Sequence, residues 1–170
     1  MNGYLTYGEN MKHSVLLDTS FFVRLLNDED SLHVNAKGYF RYFLENEITL
    51  KVSTISIAEY CVRGKVDELP LRNIQIVPFN LEHAQRTGEF AEAIYEENKI
   101  NKERLSPRAI IPNDSKLFAQ ADLDKSVTYL VTSDIRSKNT FSALIKRITP
   151  KFQIINISTP FNETFGVLDL

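Results

Sequence analysis

The stretch Val15-Leu16-Leu17-Asp18-Thr19-Ser20 constrains this chain most, because an apolar run stops abruptly at a carboxylate followed by two hydroxyls. Three apolar residues in a row suit a short buried strand, and Thr19 or Ser20 suits the cap of a following helix, which puts Asp18 at the strand's carboxyl end. The arrangement recurs where Val127-Thr128-Tyr129-Leu130-Val131 runs into Thr132-Ser133-Asp134. In a parallel α/β sheet that edge is where sites are built. Alone, Asp18 reads as a turn or capping residue, so the question is which other acids reach the same edge.

Between the two repeats, helices and strands alternate. Phe21, Phe22, Leu25 and Leu26 fall at helical spacing, and a second helix is expected from about His33 to Asn46, with Ala36, Tyr39, Phe40 and Phe43 on its buried stripe. Thr49 to Thr54 alternates as a strand. Ile55 to Val62 then turns helical, with Ile55, Ala58 and Val62 sharing one face and Glu59 off it. Asn73 to Phe79 reads as a third strand and Leu81 to about Glu97 as an amphipathic helix with its acids outward. Asn98 to Ile111 is a polar and basic connection, longer than most. Pro112-Asn113-Asp114 opens another helix, whose inner face is Leu117, Phe118 and Ala121. After the Val127 strand come a basic helix near Thr140 to Arg147, a strand around Phe152 to Ile157 and a tail. This order predicts an α/β fold with a mainly parallel sheet covered on both faces.

The 170 residues fit one domain, without repeats, low complexity or a Pro/Gly/Ser linker. Residues 1–12 read as an N-terminal extension, 13–158 as the domain and 159–170 as a C-terminal tail. No apolar segment is long enough to span a bilayer and the N-terminus lacks a basic region followed by an apolar core, so no membrane association and a cytoplasmic location are expected. Cys61 is the only cysteine, and His13, His33 and His83 are scattered, which excludes an internal disulfide and leaves no zinc-ligand spacing. Cys61 is expected to be a small core residue. A formal net charge of −2 argues against a globally basic nucleic-acid binder. The charge is uneven, however: Ile135 to Asn162 contains no acid but carries Arg136, Lys138, Lys146, Arg147 and Lys151, whereas Glu82, Glu89, Glu92, Glu96 and Glu97 crowd one earlier segment. The basic run is either solvated helix surface or a strip for a polyanion.

A helix joining two parallel strands starts at the carboxyl edge of the sheet. Asp18 and Asp134 then lie at strand ends, Asp114 in the first turn of a helix and Glu59 within about two turns of another helix start. Each alone reads as a cap or an acid compensating the helix dipole. Together they make a rim that repels itself, which a cation would hold together. Hard oxygen donors without His or Cys suit Mg²⁺ or Mn²⁺, and such an ion normally works on phosphate. Hydrolysis of a phosphodiester in a polynucleotide would also use the basic residues: Arg136 and Lys138 beyond Asp134, and Lys116 near Asp114, are candidates for backbone phosphate contacts, the RNA-binding positions if the polynucleotide is RNA.

In these pieces the chain resembles the PIN domain, and within it the VapC-like toxin ribonucleases. Leu16-Leu17-Asp18-Thr19-Ser20, Ser53-Thr54-Ile55-Ser56-Ile57-Ala58-Glu59, Asn113-Asp114 through Ala121, and Val131-Thr132-Ser133-Asp134 appear in family order. The resemblance implies a three-layer α/β/α sandwich around a five-stranded parallel sheet in the order 3-2-1-4-5, an acidic Mg²⁺ or Mn²⁺ pocket and cleavage of RNA. It also implies homodimers and, for toxins, an antitoxin that occludes the pocket. By position, Asp18, Glu59, Asp114 and Asp134 would be the catalytic, metal-binding acids, with Thr19, Ser20, Asn113, Thr132 and Ser133 in support. The chain departs from the family in its N-terminal stretch, in the long basic connection and in the aromatic that follows the fourth motif, here displaced to Phe141. The other reading is a catalytically silent PIN-like module that binds RNA or a protein partner. A phosphatase of the haloacid dehalogenase type would need an acid where Ser20 stands, and a receiver domain would need an acid adjoining Asp18.

Overall fold

The computed structural model describes residues 13–100 and 113–167. The N-terminal extension, most of the basic connection and the last three residues lie outside them. β1 (Ser14–Leu17), β2 (Thr49–Ser53), β3 (Ile74–Val77), β4 (Val127–Thr132) and β5 (Gln153–Asn156) form a parallel sheet in the order β3-β2-β1-β4-β5. The expected topology is therefore present. β1 lies in the centre, and Leu17 is level with Val52 and Val131, so Asp18, Ser53 and Thr132 follow in one row at the carboxyl edge.

Alternation along the central strand divides the core in two. Val15 and Leu17 face α1 (Thr19–Leu25), α2 (His33–Glu45) and the aromatic cluster of Phe21, Phe22, Tyr39 and Phe43. Leu16 faces the other way, onto Phe90, Leu117, Phe118 and Leu144 of α4 (Leu81–Ile100), α5 (Asn113–Leu123) and α6 (Ile135–Leu144). A strand buried on both faces explains why Val15-Leu16-Leu17 has no polar position. α3 (Thr54–Tyr60) starts directly from β2, capped by the Ser53 hydroxyl, which accepts from Ile55 N at 3.0 Å.

Two ion pairs, each with one buried partner, lock the frame. Lys51, on β2, reaches Asp124 at 2.5 Å and the Ser126 hydroxyl at 2.8 Å, tying β2 to the turn before β4. Arg86 of α4 donates from Nε at 2.9 Å and Nη2 at 2.8 Å to Asp122 of α5, which is 1% exposed and also accepts from Lys151 N at 2.7 Å. A two-pronged charged contact of this kind fixes orientation as well as distance.

Several expectations are corrected. Ala58 and Val62 do not share a buried face: α3 ends at Tyr60, Val62 is 78% exposed and Ala58 is exposed too, leaving Ile55, Ile57 and Tyr60 as the packed residues. For the same reason Cys61, one residue past the helix, is exposed rather than in the core. α6 begins at Ile135 rather than near Thr140, because the Asp134 side chain caps it immediately after β4. On α4, Glu82, Glu89 and Glu92 are outward as expected, but Glu97 is sheltered and pairs with Lys146 at 3.1 Å and Arg147 at 3.3 Å. Among the described residues no helix is long and apolar enough to cross a membrane.

The segment expected as a tail contains α7 (Phe161–Phe165), which packs on α2. Phe165 stacks on Tyr42 with ring centroids 4.5 Å apart, and Tyr39 donates its hydroxyl to Thr159 O at 2.8 Å. Gly38 makes the approach possible: a Cβ there would lie 2.8 Å from the Phe161 ring. Phe165→Ala is expected to lower stability by about 2 kcal/mol, since a half-buried ring contributes less than a fully buried one. Urea unfolding checks this; an unchanged midpoint would mean that α7 does not close the core.

Candidate active site

Asp18 follows β1 with extended backbone and is 6% exposed. It is the residue before α1, yet its carboxylate makes no capping bond to the helix. Oδ2 instead accepts hydroxyls from Ser20 at 2.7 Å and from Thr132 at 2.7 Å. Ser20 Oγ also accepts from Ser133 N at 2.9 Å, and Thr132 Oγ1 from Asp134 N at 3.0 Å. Ser20 and Thr132 thus carry hydrogen bonds across the gap between the β1 and β4 ends. Burial pushes the Asp18 carboxyl above its ordinary value; the two hydroxyls oppose that, while the Glu59 charge adds to it.

Glu59, near the end of α3, is exposed and accepts the Thr19 hydroxyl at 2.6 Å. Thr19 is therefore a bridge to the neighbouring helix rather than the helix cap. Asp114 stands in the first turn of α5. Burial first, then the charges of Asp18 and Asp134 and more weakly Glu59, raise its pKa from 3.8 to about 6, against a hydrogen bond from Ser137. Ser137 is 1% exposed on α6, a supporting hydroxyl that the sequence reading missed. Its signal was available: it lies three residues past Asp134, in the first turn of the helix that this acid caps.

Asp134 accepts from Arg136 through the backbone N–H at 2.8 Å, Nε at 3.4 Å and Nη2 at 3.1 Å. Burial pushes this carboxyl up, but the Arg136 bonds and charge outweigh it and hold the group below its usual range. The supporting positions thus divide. Thr19, Ser20, Thr132 and now Ser137 donate to the acids, whereas Ser133 accepts from Arg24 Nε at 3.3 Å and Asn113 accepts from Lys116 Nζ at 3.3 Å. The candidate phosphate contacts differ as well. Lys138 is exposed, while Lys116 leans on Asn113 and Arg136 on Asp134.

Asp114 feels the charges of the other three acids and Asp18 that of Glu59, and the donor set they offer is entirely carboxylate oxygen, the chemistry that suits Mg²⁺ or Mn²⁺. Among the described residues, no three His, Cys, Asp or Glu side chains are gathered tightly enough to form a ready-made ion cage. Beside the rim an open groove of about 490 Å³ runs between α1 and the end of α3, with Val23, Leu26, Tyr60 and Val62 along it and Glu59 and Glu68 at its margin.

No family model matches the sequence, and no curated protein matches it. The fold does match solved structures. FitAcB from Neisseria gonorrhoeae aligns with a TM-score of 0.55 at 15% identity, over 85% of this chain and 99% of that one. DNA-bound VapBC from Salmonella typhimurium aligns at 0.51 and 15% identity, over 85% and 98%. VapBC2 from Rickettsia felis, bound to a promoter DNA fragment, aligns at 0.51 and 21% identity, over 84% and 97%. The chain has the VapC-like PIN fold.

A carboxyl whose folded pKa is raised costs stability once it ionises, so the penalty from Asp114 is absent below pH 3.8 and complete above about pH 6. Asp114→Asn is accordingly expected to stabilise the metal-free protein at pH 7.5 by roughly 1–3 kcal/mol, the advantage closing as pH falls toward 4. Urea melts in chelator across that range check it; a difference independent of pH contradicts the assignment.

Proposed function

We propose that this PIN-fold chain is a metal-dependent endoribonuclease that hydrolyses RNA phosphodiester bonds, with Asp18, Glu59, Asp114 and Asp134 as its catalytic acids. The observation that carries the reading is the hydroxyl-supported Asp18 at the centre of a rim where Asp114 feels the charges of the other three acids. The acids are the residues that would hold Mg²⁺ or Mn²⁺, which in such enzymes activates a water and neutralises charge building on the phosphoryl oxygens.

The chain's own contributions follow from the contacts. Ser20 and Thr132 occupy Oδ2 of Asp18 and so fix the orientation of the carboxylate. Thr19 does the same for Glu59 and Ser137 for Asp114. Lys138, exposed beyond Asp134, and Lys116, at the start of α5, supply positive charge for the RNA backbone.

A toxin role within a toxin–antitoxin pair is the biological setting proposed here, because the structural neighbours include VapBC assemblies. The groove lined by Val23, Leu26, Tyr60 and Val62 together with Glu59 of the rim offers an antitoxin segment a place to dock and cover the site. A silent PIN-like module that binds RNA or protein draws its support from the acids' not being gathered into a ready-made cage.

RNA cleavage with Mn²⁺ separates the two. Asp18→Asn is expected to reduce cleavage by more than about 100-fold, beyond what the loss of an outer supporting group costs, while circular dichroism stays native. Cleavage undiminished in the purified variant, or absent from the parent protein at every Mn²⁺ concentration, would sink the enzyme reading.

A further inference from the structure

All four acids accept hydrogen bonds from groups of their own chain, and the ties differ in kind. Glu59 accepts a neutral hydroxyl from Thr19. Asp134 faces a full positive charge: Arg136 places Nη2 3.1 Å from Oδ2 and Nε 3.4 Å from Oδ1, with its backbone N–H 2.8 Å from Oδ1. The fork of the guanidinium therefore covers both carboxylate oxygens. The Arg136 side chain is 86% exposed, so no packing fixes it there. Further along the same basic segment Lys146 and Arg147 are engaged by Glu97, on the flank formed by α4. Arg136, in contrast, is held at the acidic rim, and its charge acts on Asp114 as well.

From this arrangement we infer that Arg136 is an internal competitor for Asp134: its guanidinium stands on the carboxylate where a divalent cation would bind, and it must release Asp134 before that acid can serve as a ligand. The inference rests on the metal reading above and adds a control on it. Both oxygens that an ion would use already accept hydrogen bonds, and the positive charge opposes a dication at short range. An ion pair between exposed groups is weak, which makes the tie a threshold rather than a block. The tie also accounts for an acid that belongs to the rim in sequence and in charge while being turned to its own helix.

The test is calorimetric titration of the full chain with Mn²⁺, on the parent protein, Arg136→Gln, Lys138→Gln, Asp134→Asn and the Arg136→Gln/Asp134→Asn double variant. Arg136→Gln is expected to tighten Mn²⁺ binding about three- to fivefold, the range an exposed charge pair can supply, and Lys138→Gln less than about twofold. In the Asp134→Asn background the gain from Arg136→Gln should vanish, because the coupling belongs to that pair. Equal gains from the two single cation variants, or a gain that survives Asp134→Asn, overturn the inference and leave the metal reading in place. Absence of Mn²⁺ binding by every protein, the parent included, overturns the metal reading and the inference together.

Discussion

The sheet order requires a gap, and the gap is what the remainder of the site depends on. From β1 the chain builds outward through β2 to β3, then returns to place β4 on the other side, so the connections leaving β1 and β4 part in opposite directions at their carboxyl ends. The crevice is bridged by Oδ2 of Asp18, which takes one hydroxyl from Ser20 and one from Thr132. Without those donors the buried carboxylate would exchange its water for nothing, an arrangement that folded proteins avoid. With them, a charged group becomes part of the seam between the two halves of the sheet.

Each acid on the rim has a different holder: two hydroxyls for Asp18, one for Glu59, the buried Ser137 for Asp114 and a guanidinium for Asp134. None of these holders removes the mutual repulsion: burial first, and then the charges of Asp18 and Asp134, still raise the Asp114 carboxyl. The fold tolerates this because two separate apolar cores lie beneath the rim, one on each face of the sheet. Local disagreement with good packing and charge practice, inside a scaffold that is otherwise consistent, is what marks this edge as the candidate site.

Asp18, Asp114 and Asp134 were legible in the sequence because their positions follow from where apolar runs stop and helices begin, and parallel topology turns those stops into one edge. Glu59 was legible only as a residue off the expected buried face of α3, and that face proved to be wrong: Val62 is beyond the helix end and exposed. Cys61 failed for the same reason, since burial was inferred from apolar neighbours rather than from where the helix stops. α7 was unreadable because its apolar residues, Phe161 and Phe165, have no periodicity to show over five positions and acquire meaning only against Tyr39 and Tyr42. The basic run from Arg136 was visible as charge, but its partners Asp134 and Glu97 are set by tertiary contact and side-chain direction, which composition does not report.

The clamp of Arg86 on Asp122 has a consequence for how such a chain can diversify. α4 and α5 are joined in sequence by the basic connection, yet their relation in space is set by this ion pair and by the core beneath it. Asp114 therefore inherits its place from helix packing rather than from the length of the chain that leads to it. Loop closure costs grow only slowly with length, so residues can be gained, lost or exchanged in that connection while the acid stays in register with Asp18. The length of that connection and the position of the acid are thus mechanically uncoupled, and one acidic edge tolerates connections of many lengths.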